Sequence, residues 1–320
     1  MLRQDVMGLT DDQRQHFSRE GYVMVPDVFA DEDLAPVMAE IEDNVDQLAR
    51  AAFANGKLSS DFATQDFEHR LARINEEDPR IAESMWGPEP ALPSFFHLMR
   101  TPRLLRIACD LCGEELVASS VYRLRPKVPT HVMSQVPWHQ DSGYFEPYCD
   151  SSLVLTVWLP LVNATEENGC MWVLPRGHRV GKVVSHRQAK DQPYLEIESQ
   201  DLPAGEPRCV PVPKGGVLLM TNLTPHASFA NRTDRVRWSM DLRYQSATLP
   251  SNAAFTRLPG ETPVEPPEGV PVACYPPEAD FLIHSIKRPR EVIQTGEEFV
   301  ELRKVHVKRP LTNRFDGRWK

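Results

Sequence analysis

The feature that most constrains the fold is a series of short apolar or alternating segments between residues 117 and 245, each bounded by turn-forming residues. Such segments are typical of strands. Strands are predicted at 117–125, 135–141, 153–160, 170–174, 208–212, 216–222, 225–230 and 235–245. Eight short strands joined by turns favour two packed antiparallel sheets. We therefore predict a mainly β protein with flanking helices, built as a jelly roll (a double-stranded β-helix, cupin-like).

The chain is predicted to form a single domain, 1–320, with three parts. Residues 1–115 are mainly helical, and 116–249 form the jelly-roll core. Residues 250–320 make a Pro-rich and basic C-terminal extension that is expected to pack on the core. Within the core, the long polar segment 179–207 is expected to be a lid or a binding loop.

Local helix signals are clear in the first part of the chain. Thr10 and Gln13 have the spacing of a capping box, and Asp31 is expected to cap the next, longer helix. Cys109 and Cys112 have the spacing of a redox or zinc motif. They lie inside another predicted helix, and no second cysteine pair has zinc-site spacing. We interpret them as core or helix-surface cysteines of a protein in a reducing cytoplasm.

The charge and the apolar content limit the classes of partner. The net charge is −9 and no long basic block is present, so nucleic acid is excluded as a partner. No segment approaches the roughly 20 continuous apolar residues that a membrane span requires, and the polar N-terminus is unlike a signal peptide. A small molecule is the expected partner and the cytoplasm the expected location, with a homo-oligomer left open.

A histidine and an aspartate stand two residues apart in the predicted strand 135–141. Alternate residues of a strand share one face, so His139 and Asp141 are expected to project together. An imidazole and a carboxylate are two of the three protein ligands in the two-histidine, one-carboxylate site of non-haem Fe(II) oxygenases. A surface pair would have the same spacing, so this interpretation requires a third ligand.

The third candidate is His226, in the predicted strand before the turn Asn231–Asp234. A hairpin around this turn would place Ser228 opposite Arg237 and His226 opposite Ser239. Directly opposed residues have Cβ atoms about 4.5–5.5 Å apart, close enough for one ligand to touch both. An arginine fork and a hydroxyl beside a metal-binding histidine suit a ligand that chelates iron and ends in a carboxylate.

The strand at 235–245 alternates cleanly between apolar and polar residues. Its apolar face contains Val236, Trp238, Met240, Leu242 and Tyr244, and its polar face Arg237, Ser239, Asp241 and Arg243. An ordinary half-exposed strand would turn the polar face to water. The expected hairpin geometry favours the alternative, in which this face lines an interior site.

In their order along the chain, these motifs resemble the phytanoyl-CoA dioxygenase family of Fe(II)/2-oxoglutarate oxygenases. The matching segments are Glu20–Phe29, Trp138–Asp141, Val157–Leu161, Glu167–His178 and His226–Arg237. The likeness spans roughly residues 11 to 245. Because several motifs recur in the correct order, the resemblance is specific.

The resemblance implies a role for each motif residue. Iron would be bound by His139, Asp141 and His226. The distal carboxylate of 2-oxoglutarate would be held by Arg237 and Ser228. The resemblance therefore implies that the site binds Fe(II) as its cofactor and uses 2-oxoglutarate and O2 as cosubstrates.

Further residues are expected around the same cavity. The resemblance implies that Trp158 lines the cosubstrate pocket. Substrate-facing candidates, chosen from the strand geometry and the position of the metal motif, are Arg123, Arg125, Tyr144 and Phe145, with Met133 and Arg243, which lies beyond the cosubstrate arginine, as weaker choices. Arginines at the mouth suit a substrate with a carboxylate or a phosphate. The alternative is that they form salt bridges around the barrel rim.

The activity implied is that of a non-haem Fe(II)/2-oxoglutarate-dependent dioxygenase. We expect hydroxylation of an unactivated C–H bond in a small polar metabolite or natural-product intermediate, with release of succinate and CO2. Halogenating relatives carry a small residue where this chain has Asp141, so halogenation is disfavoured. Desaturation, demethylation and acyl-CoA hydroxylation are alternatives with the same cofactors.

The alternative to a 2-oxoglutarate-dependent enzyme is a metal-binding cupin-like protein without 2-oxoglutarate chemistry. An isomerase, a ring-cleaving dioxygenase or a non-catalytic binding module would belong to this class. Such a protein would not need Arg237 and Ser228 beside the third metal ligand.

Overall fold

The computed structural model of the protein describes residues 6–85, 93–119, 123–129, 134–145, 150–190, 194–249 and 280–307. The helices in these ranges are α1 (Asp11–Glu20), α2 (Asp31–Ala54), α3 (Arg70–Glu77), α4 (Pro79–Ser84), α5 (Pro93–Met99), α6 (Pro102–Cys112) and α7 (Gly296–Val307). The strands are β1 (Tyr22–Val25), β2 (Leu116–Ser119), β3 (Arg123–Lys127), β4 (Val136–His139), β5 (Val154–Pro160), β6 (Met171–Val173), β7 (Arg187–Gln188), β8 (Leu195–Glu196), β9 (Arg208–Val210), β10 (Val217–Thr221), β11 (His226–Ser228), β12 (Arg237–Ser246) and β13 (Asp280–His284).

The first two helix starts test the predicted caps. At α1, Thr10 Oγ1 accepts from the Gln13 N–H at 3.2 Å and the Gln13 side chain accepts from the Thr10 N–H at 2.9 Å, which confirms the capping box. The prediction for α2 is wrong, because Ala30 is the N-cap residue and its N–H donates to the Asp33 carboxylate at 2.8 Å. Asp31 lies in the first turn, where a negative charge still favours the helix dipole.

The strands in the described ranges form two larger antiparallel sheets and one small hairpin. The first sheet has the order β1–β10–β5–β12–β2–β13, and β3 also pairs with β12. β12 is long enough for β3 to pair with its first half and β2 with its last residues, along the edge opposite β5. The second sheet has the order β4–β11–β6–β9.

The two sheets pack face to face. One apolar cluster between them joins residues of the first sheet to residues of the second: Trp158, Leu218 and Met220 with Met171, Val173 and Val210. Two antiparallel sheets packed in this way, with helices on the outside, form the jelly roll that the strand pattern predicts.

The alternation of β12 divides its side chains between two environments. The apolar set packs with α2, α5 and α6 in the main core. Trp238 stacks on Phe67 with ring centroids 5.2 Å apart, and its Nε1–H donates to the Phe67 carbonyl at 3.0 Å. The polar set lines a cavity between the two sheets. The expectation of a polar face turned inward is therefore confirmed.

β11 and β12 do not pair with each other, so the predicted hairpin is wrong. β11 pairs with β4 and β6 in the second sheet, whereas β12 belongs to the first. The connecting segment crosses between the sheets at a corner held by side chains. Asn231 donates to the carbonyls of Lys127 and Arg235 at 2.8 and 2.6 Å, and the buried Lys127 donates to the carbonyls of Ser228 and Phe229 at 3.1 and 2.7 Å.

Part of the C-terminal extension packs on the core. β13, which the sequence pattern did not predict, adds to the first sheet beside β2. α7 packs on α5, with the rings of Phe96 and Phe299 5.7 Å apart. The Pro-rich stretch at 250–279 and the basic tail at 308–320 lie outside the described residues. The division of the chain into three parts stays a prediction.

Two further expectations concern the cysteines of α6 and the membrane. Cys109 is buried in the main core on α6, in line with its interpretation as a core cysteine. Among the helices of the described ranges, none has the length and apolar character needed to cross a bilayer.

Substitution of Trp238 by alanine tests the placement of the apolar face of β12. We expect a loss of about 3–5 kcal/mol in the free energy of unfolding, because a buried ring is removed and a cavity is left. Urea unfolding followed by circular dichroism measures the change. Phe53→Ala is the control, since Phe53 is half-exposed on α2, and it should cost less than about 1 kcal/mol. Equal losses in the two variants would contradict this placement.

Candidate active site

Two histidines face each other across neighbouring strands. His139 ends β4, His226 begins β11, and the two are direct partners in the antiparallel register. Their ring centroids lie 4.2 Å apart. In each ring Nδ1 lies 2.9 Å from a backbone carbonyl, that of Pro137 and that of Thr224. Donation from Nδ1–H to these carbonyls leaves each Nε2 as the unprotonated nitrogen.

Asp141 joins the histidines from a 3-10 turn and not from the strand that the sequence predicts. β4 ends at His139, but Gln140 keeps extended angles (φ −108°, ψ 140°), so the residues on either side of it still project together. Asp141 Oδ1 lies 3.9 Å from His139 Nε2 and 4.0 Å from His226 Nε2. The three buried residues thus offer ligand atoms within 4.8 Å of one another.

The carboxylate of Asp141 is held at both oxygens. Thr156 Oγ1 on β5 donates to Oδ2, and the Arg243 guanidinium on β12 donates to Oδ1 at 3.1 Å. Burial acts to raise the pKa of Asp141, but the charge of Arg243, the two histidines and the Thr156 hydroxyl together hold that pKa below its usual range. Burial, with the neighbouring His226, lowers the pKa of His139 well below its usual value. The result is an ionised carboxylate beside a neutral imidazole.

This donor set fits a divalent iron ion. Two imidazole nitrogens and one carboxylate oxygen are the ligands of the facial sites that bind non-haem Fe(II). All three side chains also line a cavity, which leaves space for further ligands on the metal. The backbone carbonyls on Nδ1 and the donors to Asp141 form the outer shell that such sites use to orient their ligands. His139, Asp141 and His226 could therefore hold the predicted metal.

Arg237 presents a buried positive charge to the same cavity. It is 2% exposed, and its guanidinium lies 5.1 Å from the centroid of the Trp158 ring. It donates to the hydroxyl of Ser239 and, at 3.3 Å, to that of Ser228, while its Nε has no hydrogen-bond partner among the described residues. Burial lowers the pKa of Arg237 to about 10.

No carboxylate in the described part of the chain forms an ion pair with Arg237. A buried guanidinium paired only with hydroxyls is costly unless an anion joins it. Its planar fork and the unpartnered Nε suit a carboxylate ligand. The sequence analysis placed Ser228 and Arg237 together by a hairpin that does not exist. They meet because the facing sheets bring them together.

The cavity lies between the two sheets and has an empty volume of about 870 Å³, including its open mouth. Its lining residues are Arg123, Arg125, Ser134, Val136, His139, Asp141, Tyr144, Phe145, Thr156, Trp158, Met171, Tyr194, Met220, His226, Ser228, Arg237, Ser239, Asp241 and Arg243. The cavity therefore gathers the metal candidates, the cosubstrate candidates and five of the substrate candidates of the sequence analysis. Met133 lies outside the described residues.

Two of the predicted substrate residues carry internal ion pairs. Arg125 bonds Asp241 at 3.1 Å, and Arg243 bonds Asp141 at 3.1 Å while lying 5.4 Å from the centroid of the Phe145 ring. Arg243 thus touches the metal candidate directly. The sequence analysis named Arg243 as a substrate-facing candidate and gave salt bridges as the alternative for the arginines, but it did not predict that the partner would be Asp141.

Sequence reasoning missed two residues that shape the site. Thr156 occurs in the apolar run of β5, yet it is two residues from Trp158 and therefore on the same face, a signal that could have identified it. Tyr194 occurs in the segment predicted to be a loop, where periodicity gives no information. It is buried and lines the cavity.

The segment 179–207 contains the β7–β8 hairpin. It is hydrogen-bonded to Gln140, the residue between the metal candidates His139 and Asp141. The Gln140 side chain donates to the Leu223 carbonyl at 2.8 Å and accepts from the Val184 N–H at 2.8 Å. The Gln140 N–H donates to His186 Nε2 at 3.0 Å, and His186 Nδ1 lies 2.7 Å from the Val184 carbonyl. The backbone between the two metal candidates is therefore tied directly to this segment.

The β7–β8 hairpin also reaches the cavity wall. The Leu195 N–H donates to the Tyr144 hydroxyl at 2.8 Å, and the Ile197 N–H donates to the Trp138 carbonyl at 2.7 Å. The second bond joins β4 to the residue just after β8. Together these bonds hold Tyr194 beside the cavity. The segment expected to be a lid or binding loop thus contributes a wall of the cavity.

Comparisons with known proteins agree with this geometry. The model of the phytanoyl-CoA dioxygenase family matches residues 17–239. A probable phytanoyl-CoA dioxygenase of Caenorhabditis elegans is 23% identical over 256 residues, which cover 75% of this chain and 77% of that protein. An ectoine dioxygenase of Bordetella bronchiseptica is 23% identical over 218 residues, covering 67% of this chain and 64% of that protein, slightly under two thirds of its length.

Solved structures give a weaker likeness. The non-haem alpha-ketoglutarate-dependent carbocyclase SnoK from nogalamycin biosynthesis is 21% identical, with a TM-score of 0.49, and the match covers 82% of this chain and 94% of that one.

Substitution of Gln140 by leucine tests the link between the metal motif and the β7–β8 segment. Leucine has a similar volume but leaves the Val184 N–H and the carbonyls of Leu223 and Lys182 without this partner. Each such hydrogen bond contributes about 0.5–1.5 kcal/mol. We expect the Val184 amide to exchange with deuterium at least about tenfold faster. Gln200→Leu is the control, because the Gln200 amide bonds Glu198 at the surface. Unchanged protection of Val184 would contradict the link.

Proposed function

Because the chain belongs to the phytanoyl-CoA dioxygenase family of Fe(II)/2-oxoglutarate-dependent dioxygenases, we propose that it hydroxylates an unactivated C–H bond of a small polar metabolite or natural-product intermediate. Succinate and CO2 are the products released from the cosubstrate. The observation that carries this proposal is one cavity that holds both a two-histidine, one-carboxylate group and a buried arginine without a carboxylate partner among the described residues.

His139, Asp141 and His226 are proposed to hold Fe(II). Their burial excludes bulk water from the metal, and the two Nδ1 contacts with backbone carbonyls direct each Nε2 to the same point. Thr156 and Arg243 are positioning residues in this proposal. They fix the orientation of the Asp141 carboxylate and keep it ionised, as outer-shell partners of metal ligands do.

Arg237 and Ser228 are proposed to hold the distal carboxylate of 2-oxoglutarate, with Trp158 as a wall of that pocket. A carboxylate there would accept hydrogen bonds from the guanidinium fork and would offset its buried charge. The Ser228 hydroxyl is held in place by donation to the Gly169 carbonyl at 2.9 Å. A cosubstrate bound there would contact groups from both sheets.

Bound Fe(II), with 2-oxoglutarate and O2, supplies the oxidising chemistry, in which the cosubstrate becomes succinate and CO2 and one oxygen atom enters the substrate. The protein contributes orientation and the exclusion of water. Tyr144, Phe145 and Tyr194 contribute aromatic rings to the cavity lining, and the centroid of the Tyr144 ring lies 5.7 Å from that of the His139 ring. Asp141 occupies the position that is a small residue in halogenating relatives, which favours hydroxylation.

The substrate is proposed to contact Arg123, Arg125, Tyr144, Phe145 or Arg243 at the cavity wall. A small polar substrate is supported by the polar and charged residues that line the cavity and by the likeness to a protein named ectoine dioxygenase. Acyl-CoA hydroxylation is the second candidate, because other relatives are named phytanoyl-CoA dioxygenases. Desaturation and demethylation would use the same cofactors. The cytoplasmic location and the homo-oligomer stay predictions.

The direct test is consumption of the cosubstrate. The purified protein is supplied with Fe(II), ascorbate and 2-oxoglutarate under air, and slow substrate-free formation of succinate is measured before candidate substrates are screened for stimulation. Succinate formation supports the proposal. Iron binding without consumption of 2-oxoglutarate, with or without candidate substrates, would favour a cupin-like protein of other chemistry.

Substitution of Arg237 by alanine is expected to raise the half-saturating concentration of 2-oxoglutarate roughly 10- to 100-fold, because hydrogen bonds to a charged group contribute about 1.5–3 kcal/mol. Binding is measured calorimetrically on protein loaded with Mn(II), which avoids turnover. Arg235→Ala is the matched control, since Arg235 is half-exposed and lies outside the cavity lining. Wild-type affinity in Arg237→Ala would contradict the assigned pocket.

Substitution of Asp141 by alanine is expected to weaken Mn(II) binding more than about 100-fold, since loss of a mere outer-shell partner already costs about 10–100-fold. Thr156→Val, which removes one such partner, should fall in that smaller range. Asp234→Ala, at an exposed carboxylate, should leave metal affinity unchanged. Two results would contradict the assigned roles: a loss of metal affinity in Thr156→Val as large as that in Asp141→Ala, or no loss in Asp141→Ala.

A further inference from the structure

Two cysteines outside the proposed metal site lie in direct contact. Cys170 precedes β6 and is fully buried, whereas Cys209 lies in the middle of the neighbouring strand β9 and is partly exposed. Their sulfur atoms are 3.2 Å apart. Cys209 is the register partner of Trp172, so the two cysteines are diagonal neighbours across an antiparallel pair. Both are free thiols.

We propose that Cys170 and Cys209 form a thiol-oxidation site, which closes to a reversible disulfide when the protein meets a hydroperoxide. A disulfide bond is about 2.05 Å long, so the sulfurs need to approach by only about 1.2 Å. The strand pairing already holds the two backbones side by side. Cysteines of cytosolic proteins that bond in this way do so transiently, as redox-responsive pairs.

The chemistry requires a two-electron oxidant, and a hydroperoxide supplies it. Cys209 is the accessible thiol, and its sulfur attacks the terminal peroxide oxygen, so that the O–O bond breaks and a sulfenic acid forms with release of water or an alcohol. Cys170 sulfur then attacks the Cys209 sulfur, the S–O bond breaks and a second water leaves. Two thiol protons appear in the released products, and a dithiol reductant reverses the bond.

The surroundings make this reaction slow. Burial raises the pKa of the Cys209 thiol, and burial together with the Cys209 contact raises the pKa of Cys170. Because the thiolate is the nucleophile, raised pKa values lower the rate of attack. The site is therefore suited to sustained oxidant and not to rapid peroxide removal.

The thiol pair is connected to the proposed cosubstrate pocket by a short path. Gly169, next to Cys170, accepts the Ser228 hydroxyl at 2.9 Å, and Arg237 donates to that hydroxyl at 3.3 Å. Gly169 has a positive φ of 81°, and a Cβ there would lie 2.7 Å from the Lys127 Cδ and from the Phe229 carbonyl oxygen. In such close packing, drawing Cys170 toward β9 is expected to shift the Gly169 carbonyl and disturb the Ser228–Arg237 contact.

The first test is chemical. The full chain, loaded with Mn(II) to avoid reaction of iron with peroxide, is treated with hydrogen peroxide, its remaining thiols are alkylated, and its peptides are examined by mass spectrometry. A Cys170–Cys209 crosslink that dithiothreitol removes is the expected product. Cys109 and Cys112 are the internal control and should stay reduced, because burial raises the pKa of both thiols to about 12. The proposal is overturned if other cysteines oxidise while Cys170 and Cys209 remain thiols.

The second test concerns the connection to the pocket and rests on the proposed function. Binding of 2-oxoglutarate to the Mn(II)-loaded protein is measured before and after oxidation. We expect severalfold weaker binding in the oxidised wild type and no change in Cys209→Ser, which cannot form the bond. A crosslink without a change in affinity would overturn the connection. If the reduced protein does not bind 2-oxoglutarate, the proposed function fails, and the crosslink result still decides the thiol site.

Discussion

The burial of the Asp141 carboxylate is the constraint on which the site depends. An ionised group this deep in the protein is tolerated only when partners replace the lost water, because the desolvation penalty of an isolated charge amounts to several kcal/mol. The partners come from distant parts of the chain: Thr156 from β5 and Arg243 from β12. The two histidines lie in the facing sheet. The site therefore exists only when both sheets have formed and packed, which couples the metal group to the fold as a whole.

The arginines of the cavity fall into two classes by their partners. Arg243 and Arg125 are each bonded to a carboxylate of the protein, Asp141 and Asp241. Arg237, within the described residues, is bonded to hydroxyls alone and packs against the Trp158 ring. The first class stabilises the framework of the cavity, while the second leaves a buried charge that an incoming anion can offset. Because of this difference, the part of the cavity beside Arg237 is suited to bind a carboxylate.

Much of this arrangement follows from local sequence. Short apolar or alternating segments bounded by turn residues identified the strands of the core. The alternation of β12 predicted which of its residues face the cavity, and the two-residue spacing brought His139 and Asp141 to the same side. The hairpin prediction failed because turn residues such as Asn231 are compatible with a sheet-to-sheet corner as well as with a hairpin. Ser228 and Arg237 nevertheless meet. Such contacts between sheets, like the place of Tyr194 in the cavity, depend on long-range packing that no local pattern reports.

The central claim is that this cavity binds ferrous ion and 2-oxoglutarate together. Anaerobic titration of the iron-loaded protein with 2-oxoglutarate tests it directly, because a keto acid that chelates Fe(II) produces a visible charge-transfer absorption. The account predicts that this band appears and saturates in the wild type, and that Arg237→Ala needs a much higher concentration of 2-oxoglutarate to reach it. Iron bound at the three ligands with no such band at any concentration of 2-oxoglutarate would contradict it.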